Sequence, residues 1–204
     1  MSEQIRQQRS VVFFGTNGTG KTTQMLSMGI DYMKKNARFG KRLLCCLPDD
    51  GERKYDVVEE IPLEEHSLHN FKGIAKVFVE DKNAFQLIYK SYTAKGKPSF
   101  NGLAIFDDLG VVLNRRPEEA INMLRRRRQM NMDMFWNFHG LTTDMPRSFF
   151  GFITDIILFK TTDDHSDTLE KLPSDKRELF EEVYYRVQEK TKDNPFYFER
   201  IKLR

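Results

Sequence analysis

The chain is predicted to fold as a single α/β domain in three layers, with a mainly parallel central sheet between two layers of helices. Three observations predict it. Short apolar runs recur along the 204 residues with helix-period segments between them. Alternating strands and helices build parallel sheets covered on both faces. The length matches one such domain, and no repeat, low-complexity tract or linker divides residues 1–204.

Val11-Val-Phe-Phe14 is the first buried-type strand, and Met25, Met28, Ile30 and Met33 space a helix from about Lys21 to Lys35. Lys41–Leu47 reads as a second strand, closed by Pro48-Asp-Asp-Gly51. Residues 49–100 are the least regular part, with an alternating strand at Ile74–Val79 and a helix near Ala84–Tyr92. Gly102–Phe106 is the next strand, and a helix opens at Pro117-Glu-Glu, with proline in its first turn and acids at its positive end, and runs to about Gln129. Met132–Phe138 and Asp155–Phe159 are strands, residues 174–190 are helical, and Phe196–Leu203 alternates like a terminal strand.

Between the first strand and the first helix stands Gly15-Thr-Asn-Gly-Thr-Gly-Lys-Thr22, which fits G-x-x-x-x-G-K-[ST] in its required setting. Glycines at 15, 18 and 20 let the backbone curl so that its N–H groups converge on phosphates at the positive end of the following helix. A nucleoside triphosphate is therefore expected to lie against Gly15, Thr16, Asn17, Gly18, Thr19, Gly20, Lys21, Thr22 and Thr23. Lys21 would reach the β- and γ-phosphates and the Thr22 hydroxyl would ligate Mg²⁺.

Phosphoryl chemistry also needs a carboxylate for the metal and a group to orient the attacking water. Leu103-Ala-Ile-Phe-Asp107-Asp108 supplies both: Asp107 is placed to hold Mg²⁺ with Thr22, and Asp108 to polarise the nucleophilic water. The strand at 132–138 should lie beside this one, which puts Asn137 or His139 where a polar side chain can sense the γ-phosphate.

Formal net charge is only +3, but charge is segregated. Residues 48–66 hold eight acids against two bases, residues 161–182 eight against three, and residues 111–129 six arginines against two glutamates. Four consecutive arginines, Arg125–Arg128, on a helix sweep around most of its circumference and cannot all pair on one face, so at least one should face a neighbour or a polyanion. The candidate roles are an arginine finger in a neighbouring subunit's site, a DNA phosphate contact, or solvated charge. Cys45 and Cys46 are adjacent in a strand, point to opposite faces and read as core thiols of a reducing compartment. The N-terminus has no apolar leader, and no apolar run approaches the about 20 residues of a membrane span.

The motif order resembles the FtsK/HerA superfamily of DNA-pumping ATPases, in particular small viral genome-packaging ATPases and the zonula occludens toxin-like assembly proteins of filamentous phages. It is carried by the phosphate loop, then Phe-Asp107-Asp108, then Arg125-Arg-Arg-Arg-Gln-Met-Asn-Met-Asp-Met-Phe-Trp-Asn-Phe-His-Gly140, then Asp155-Ile-Ile-Leu-Phe-Lys160. The resemblance implies a RecA/FtsK-like P-loop fold and ATP hydrolysis with Mg²⁺. It also implies sequence-independent contact with DNA, a ring, commonly a hexamer, and a capsid or vertex protein as anchor in the host cytoplasm or the virion. It assigns the arginine finger acting in trans to Arg127 or Arg128. Two positions depart from the family: His139 stands where the sensor is usually glutamine, and Asp108 where many members have glutamate.

Other classes use a similar cradle. A small-molecule kinase would need a lid of phosphate-binding arginines, for which Arg115-Arg116 or Arg125–Arg128 are candidates. A passive nucleotide-binding assembly factor would lack the paired acids. Helicase loaders carry an Asp-Asp-Leu-Gly run like Asp107–Gly110 together with a helical lid that has no counterpart after residue 160. No Asn-Lys-x-Asp guanine-recognition sequence is present.

Overall fold

The structure, a computed structural model, describes residues 8–48, 53–94, 96–110, 117–140, 145 and 147–204. Strands β1 (Ser10–Phe14), β2 (Arg42–Leu47), β3 (Glu59–Glu60), β4 (Ile74–Phe78), β5 (Gly102–Phe106), β6 (Met132–Phe138), β7 (Asp155–Phe159) and β8 (Phe198–Lys202) form one sheet in the order β3-β4-β2-β5-β6-β1-β7-β8. Every described pairing is parallel except β7 with β8. The mainly parallel α/β architecture is thus as expected.

Helices α1 (Lys21–Asn36), α2 (Glu65–Asn70), α3 (Lys82–Thr93), α4 (Pro117–Arg126), α5 (Ser166–Lys171) and α6 (Ser174–Lys190) accompany the strands. Each residue of β1, β5, β6 and β7 is buried, as required of strands covered on both sides. The alternation divides the core in two. Val12, Phe14, Cys46, Phe106, Trp136 and Val183 belong to one cluster, and Val11, Phe13, Met25, Cys45, Ile105 and Phe159 to the other. Cys45 and Cys46 therefore face opposite layers, both unpaired, and burial pushes the Cys45 thiol up to about 12.

Several boundaries differ from the expectation. The irregular region contains the two-residue edge strand β3 and the six-residue helix α2, and α5 precedes the helix expected at 174. These pieces are too short to show a period. The terminal strand is Phe198–Lys202, paired within its own sheet. Helix α4 ends at Arg126 rather than near Gln129, because Asn131 takes a left-handed φ of 50° and the chain turns there into β6. The candidate lid residues Arg115 and Arg116 lie outside the described residues.

At the centre of one core layer, Phe106 stacks on Trp136 at 4.0 Å between centroids and tilts against Phe85 at 5.9 Å. Phe106→Ala would leave a void between two strands and should cost about 3–5 kcal/mol. Urea denaturation followed by the fluorescence of Trp136, the single tryptophan, measures it.

Candidate nucleotide site

The C-terminal ends of β1, β6 and β5 lie side by side and deliver three functional segments to one edge of the sheet. After β1 the loop begins at Gly15, whose backbone approaches the end of β7 so closely that a Cβ there would sit 2.7 Å from the Lys160 carbonyl oxygen. Thr16 N–H donates to that same oxygen at 2.9 Å, which fixes the start of the loop. Gly20 caps α1 at φ 90°, a left-handed conformation that favours glycine, and frees the first N–H groups of the helix to face the cleft. The cleft has a volume of about 530 Å³ and is lined by Asn17–Thr23, Lys54, Asp107, Asp108, Asn137, His139 and Phe196.

The buried Lys21 ammonium donates to the carbonyl oxygens of Gly15 at 2.5 Å and Thr16 at 2.8 Å. Its Nζ also lies 3.3 Å from His139 Nδ1, and His139 Nε2 lies 2.9 Å from Asp108 Oδ1. An ammonium can only donate, so Nδ1 accepts and Nε2–H donates: the partners assign the neutral tautomer and link Lys21 to Asp108 through the ring. Burial lowers the Lys21 pKa to about 8, against the opposing pull of Asp107 and Asp108.

Asp107 is buried at the tip of β5, where Asn137 Nδ2 donates to its Oδ1 at 2.5 Å, Tyr55 Oη to its Oδ2 at 2.9 Å, and Thr22 Oγ1 approaches at 3.5 Å. Burial raises its pKa, and these three donors oppose the shift. Thr22 Oγ1 and the Asp107 carboxylate are hard oxygens side by side, a pair that suits Mg²⁺, and the Asn137 amide reaches the same carboxylate through Nδ2 while its Oδ1 is buried without a partner. Asp108 differs from its neighbour: it is exposed to the cleft and left-handed at φ 54°. One acid is enclosed and the next faces solvent.

The structure brings the expected loop residues Asn17–Thr23, with Asp107, Asp108, Asn137 and His139, together at the cleft, while Gly15 and Thr16 lie against the end of β7. It separates the arginines. Arg127 is buried, with Nη1 donating to Leu124 O at 2.8 Å and Nε to Gln8 O at 3.2 Å, so its guanidinium is committed to its own chain and the expectation of a finger there is corrected. Arg126 donates to Thr93 O, and Arg125 lies 5.5 Å from the Phe152 ring. The Arg128 side chain is exposed and makes no hydrogen bond or ion pair among the described residues; its backbone carbonyl accepts from Asn131 N–H at 3.1 Å. It precedes β6, whose seven residues put it about 20 Å from the cleft of its own subunit. Tyr55 and Phe196 were not foreseen as site residues: Tyr55 sits in a loop with no motif around it, and Phe196 read only as part of a strand.

No protein-family model matches the chain, and no curated protein matches it significantly. Solved structures do. The genome packaging NTPase B204 from Sulfolobus turreted icosahedral virus 2, in complex with AMP, superposes with a TM-score of 0.68 over 96% of this chain and 93% of that one, at 13% identity. The chain shares its fold with this packaging NTPase. The DNA-packaging ATPase B204 from Sulfolobus turreted icosahedral virus gives 0.58 over 96% and 92%, at 15% identity. The N-terminal domain of zonular occludens toxin from Neisseria meningitidis aligns over 77% and 79%, at 16% identity and a TM-score of 0.46. For the packaging NTPases, the resemblance of motif order is matched by one of fold.

The lowered pKa of Lys21 has a measurable sign. Above pH 8 the free protein loses the ammonium proton, which must be regained to meet a phosphate. ADP affinity should therefore fall as pH rises from 8 to 9.5, by up to about tenfold per unit. Calorimetric titration checks this, and Lys21→Met should remove the slope. Tyr55→Phe, which deletes one donor to the buried Asp107, should raise the carboxyl pKa further and weaken Mg²⁺-dependent ADP binding at pH 6 more than at pH 8.

Proposed function

We propose that the chain is an ATP-hydrolysing DNA translocase that acts as a ring in packaging a viral genome. The observation that carries this reading is the single edge where the phosphate loop, Asp107-Asp108 and His139 converge. Lys21 and the loop N–H groups bind and orient the phosphates. Bound Mg²⁺, held by Thr22 and Asp107, would neutralise phosphate charge. Asp108 accepts the proton of the attacking water, and His139, in contact with both Lys21 and Asp108, signals that the γ-phosphate has arrived.

The fold shared with packaging NTPases supports the packaging role. The position of Arg128 supports a ring: too far from its own cleft to act there, it is free to complete a neighbour's site. The same distance argues against a kinase lid formed by Arg125–Arg128 within one subunit. Contact with a phosphate backbone is supported by a second cleft, of about 590 Å³, at the N-terminal ends of β1, β6 and β7. Arg9, Lys35, Lys202 and Arg204 line it beside Asp31, Asp133 and the Arg200-paired Asp155. A capsid or vertex protein would anchor the ring in the host cytoplasm or virion. No helix among the described residues is long and apolar enough to cross a membrane.

Steady-state ATP hydrolysis across protein concentration, with and without DNA, tests this. Turnover should rise with both, and DNA stimulation should fall with salt. Lys21→Ala and Arg128→Ala should each lower turnover by about 10³-fold or more. Mixing the two should restore activity, since Lys21→Ala subunits lend Arg128 to intact loops. Turnover indifferent to concentration and DNA, with no rescue, would sink the proposal.

A further inference from the structure

The groups that would meet the γ-phosphate, Asp108 and His139, lie on the β5–β6 side of the phosphate loop. A nucleotide laid along the loop therefore carries its base toward the other side, where β7 and β8 lie. There the structure presents Phe196. The residue is 61% exposed although it lines the cleft, and its Cδ1 stands 3.3 Å from where a Cβ on Gly20 would be. Single exposed hydrophobics are common, but this one stands at a cleft mouth, where a ligand that covers it gains apolar burial.

The ring is also held in place. Phe196 N–H donates to Asn194 Oδ1 at 3.1 Å and Tyr197 N–H to Asn194 O at 2.9 Å, closing a turn immediately before β8. Two residues on, Phe198 packs on Phe159 at 5.1 Å between centroids, in the core layer that contains Met25 of α1. The turn is anchored at both ends while the Phe196 ring remains uncovered.

We propose that Phe196 is the base-stacking platform of the nucleotide site, taking the face of a purine ring. This rests on the nucleotide-site reading above. An aromatic face accepts any purine, because every base has a π-face; stacking fixes the base without reading its edge. A side chain on Gly20 would meet the ring, so the loop glycine serves the base platform as well as the phosphate cradle.

The test compares ADP with inorganic pyrophosphate, which shares its phosphates but has no base, by calorimetry on the full chain with Mg²⁺. Phe196→Ala should weaken ADP binding about tenfold or more and leave pyrophosphate unchanged. Because the ring is exposed, the substitution should not disturb folding. Phe196→Trp should keep ADP binding, and its fluorescence should be quenched by ADP and not by pyrophosphate. Equal weakening of both ligands, or no weakening of ADP, would overturn the platform. So would loss of self-association with ADP binding intact, which would assign the ring to a subunit contact. Wild-type protein that binds neither ligand would instead overturn the nucleotide-site reading and the platform with it.

Discussion

The parallel pairing of β5 to β6 and β6 to β1 is the constraint on which the site depends. Phe106 sits opposite Trp136 on β6, and Phe14 of β1 opposite Phe138, so the three strands run out at one edge in a fixed stagger. Asp107 leaves β5 one residue after its last pairing, where Asn137 can donate to it across the gap. A slip of one residue in either pairing would turn Asn137 into the opposite core layer and Asp107 away from Thr22. The hydrophobic layers above and below forbid that slip, so packing of Phe106, Trp136 and Phe138 sets the distance between cradle and carboxylate.

Burial then separates two adjacent acids. Asp107 is enclosed, and three donors keep a charge available there despite desolvation. Asp108 turns out into the cleft through a left-handed backbone that aspartate tolerates better than most residues. Lys21 meets the same difficulty with opposite sign: its buried ammonium donates to two loop carbonyls and an imidazole, with Asp107 and Asp108 near enough to favour its charge. A phosphate would be a better partner than any of them. Its arrival would draw Lys21 from His139, and His139 is the group that touches Asp108. The linkage gives physical content to a sensor at a position where the resembled family usually has glutamine.

Much of this was legible in the sequence because it is local. The phosphate loop is a contiguous pattern, and the strands are apolar runs covered on both faces, so β1, β5 and β7 stand within a residue of their expected limits. The acids at 107 and 108 follow their strand at once. What escaped is non-local. Tyr55 meets Asp107 across 52 positions from a loop with no periodicity. The fates of Arg127 and Arg128 turn on where α4 ends, and on the carbonyl of Gln8, which only the tertiary fold brings to Arg127 beside the local carbonyl of Leu124. Phe196 looked like strand sequence because its alternation with Phe198 is genuine; that its ring lies beside Gly20 depends on β8 pairing antiparallel to β7.

The claim at the centre of the account is that this edge hydrolyses a bound nucleotide, with Asp108 as the group that takes the proton from water. The most direct measurement is ATP turnover by Asp108→Asn, alongside its affinity for ADP. Asparagine keeps the shape and tolerates the left-handed backbone but cannot accept the proton, so the account predicts turnover lower by at least about a hundredfold with ADP affinity unchanged. Wild-type turnover with the same affinity would contradict it and leave the site a nucleotide-binding cradle without catalytic action.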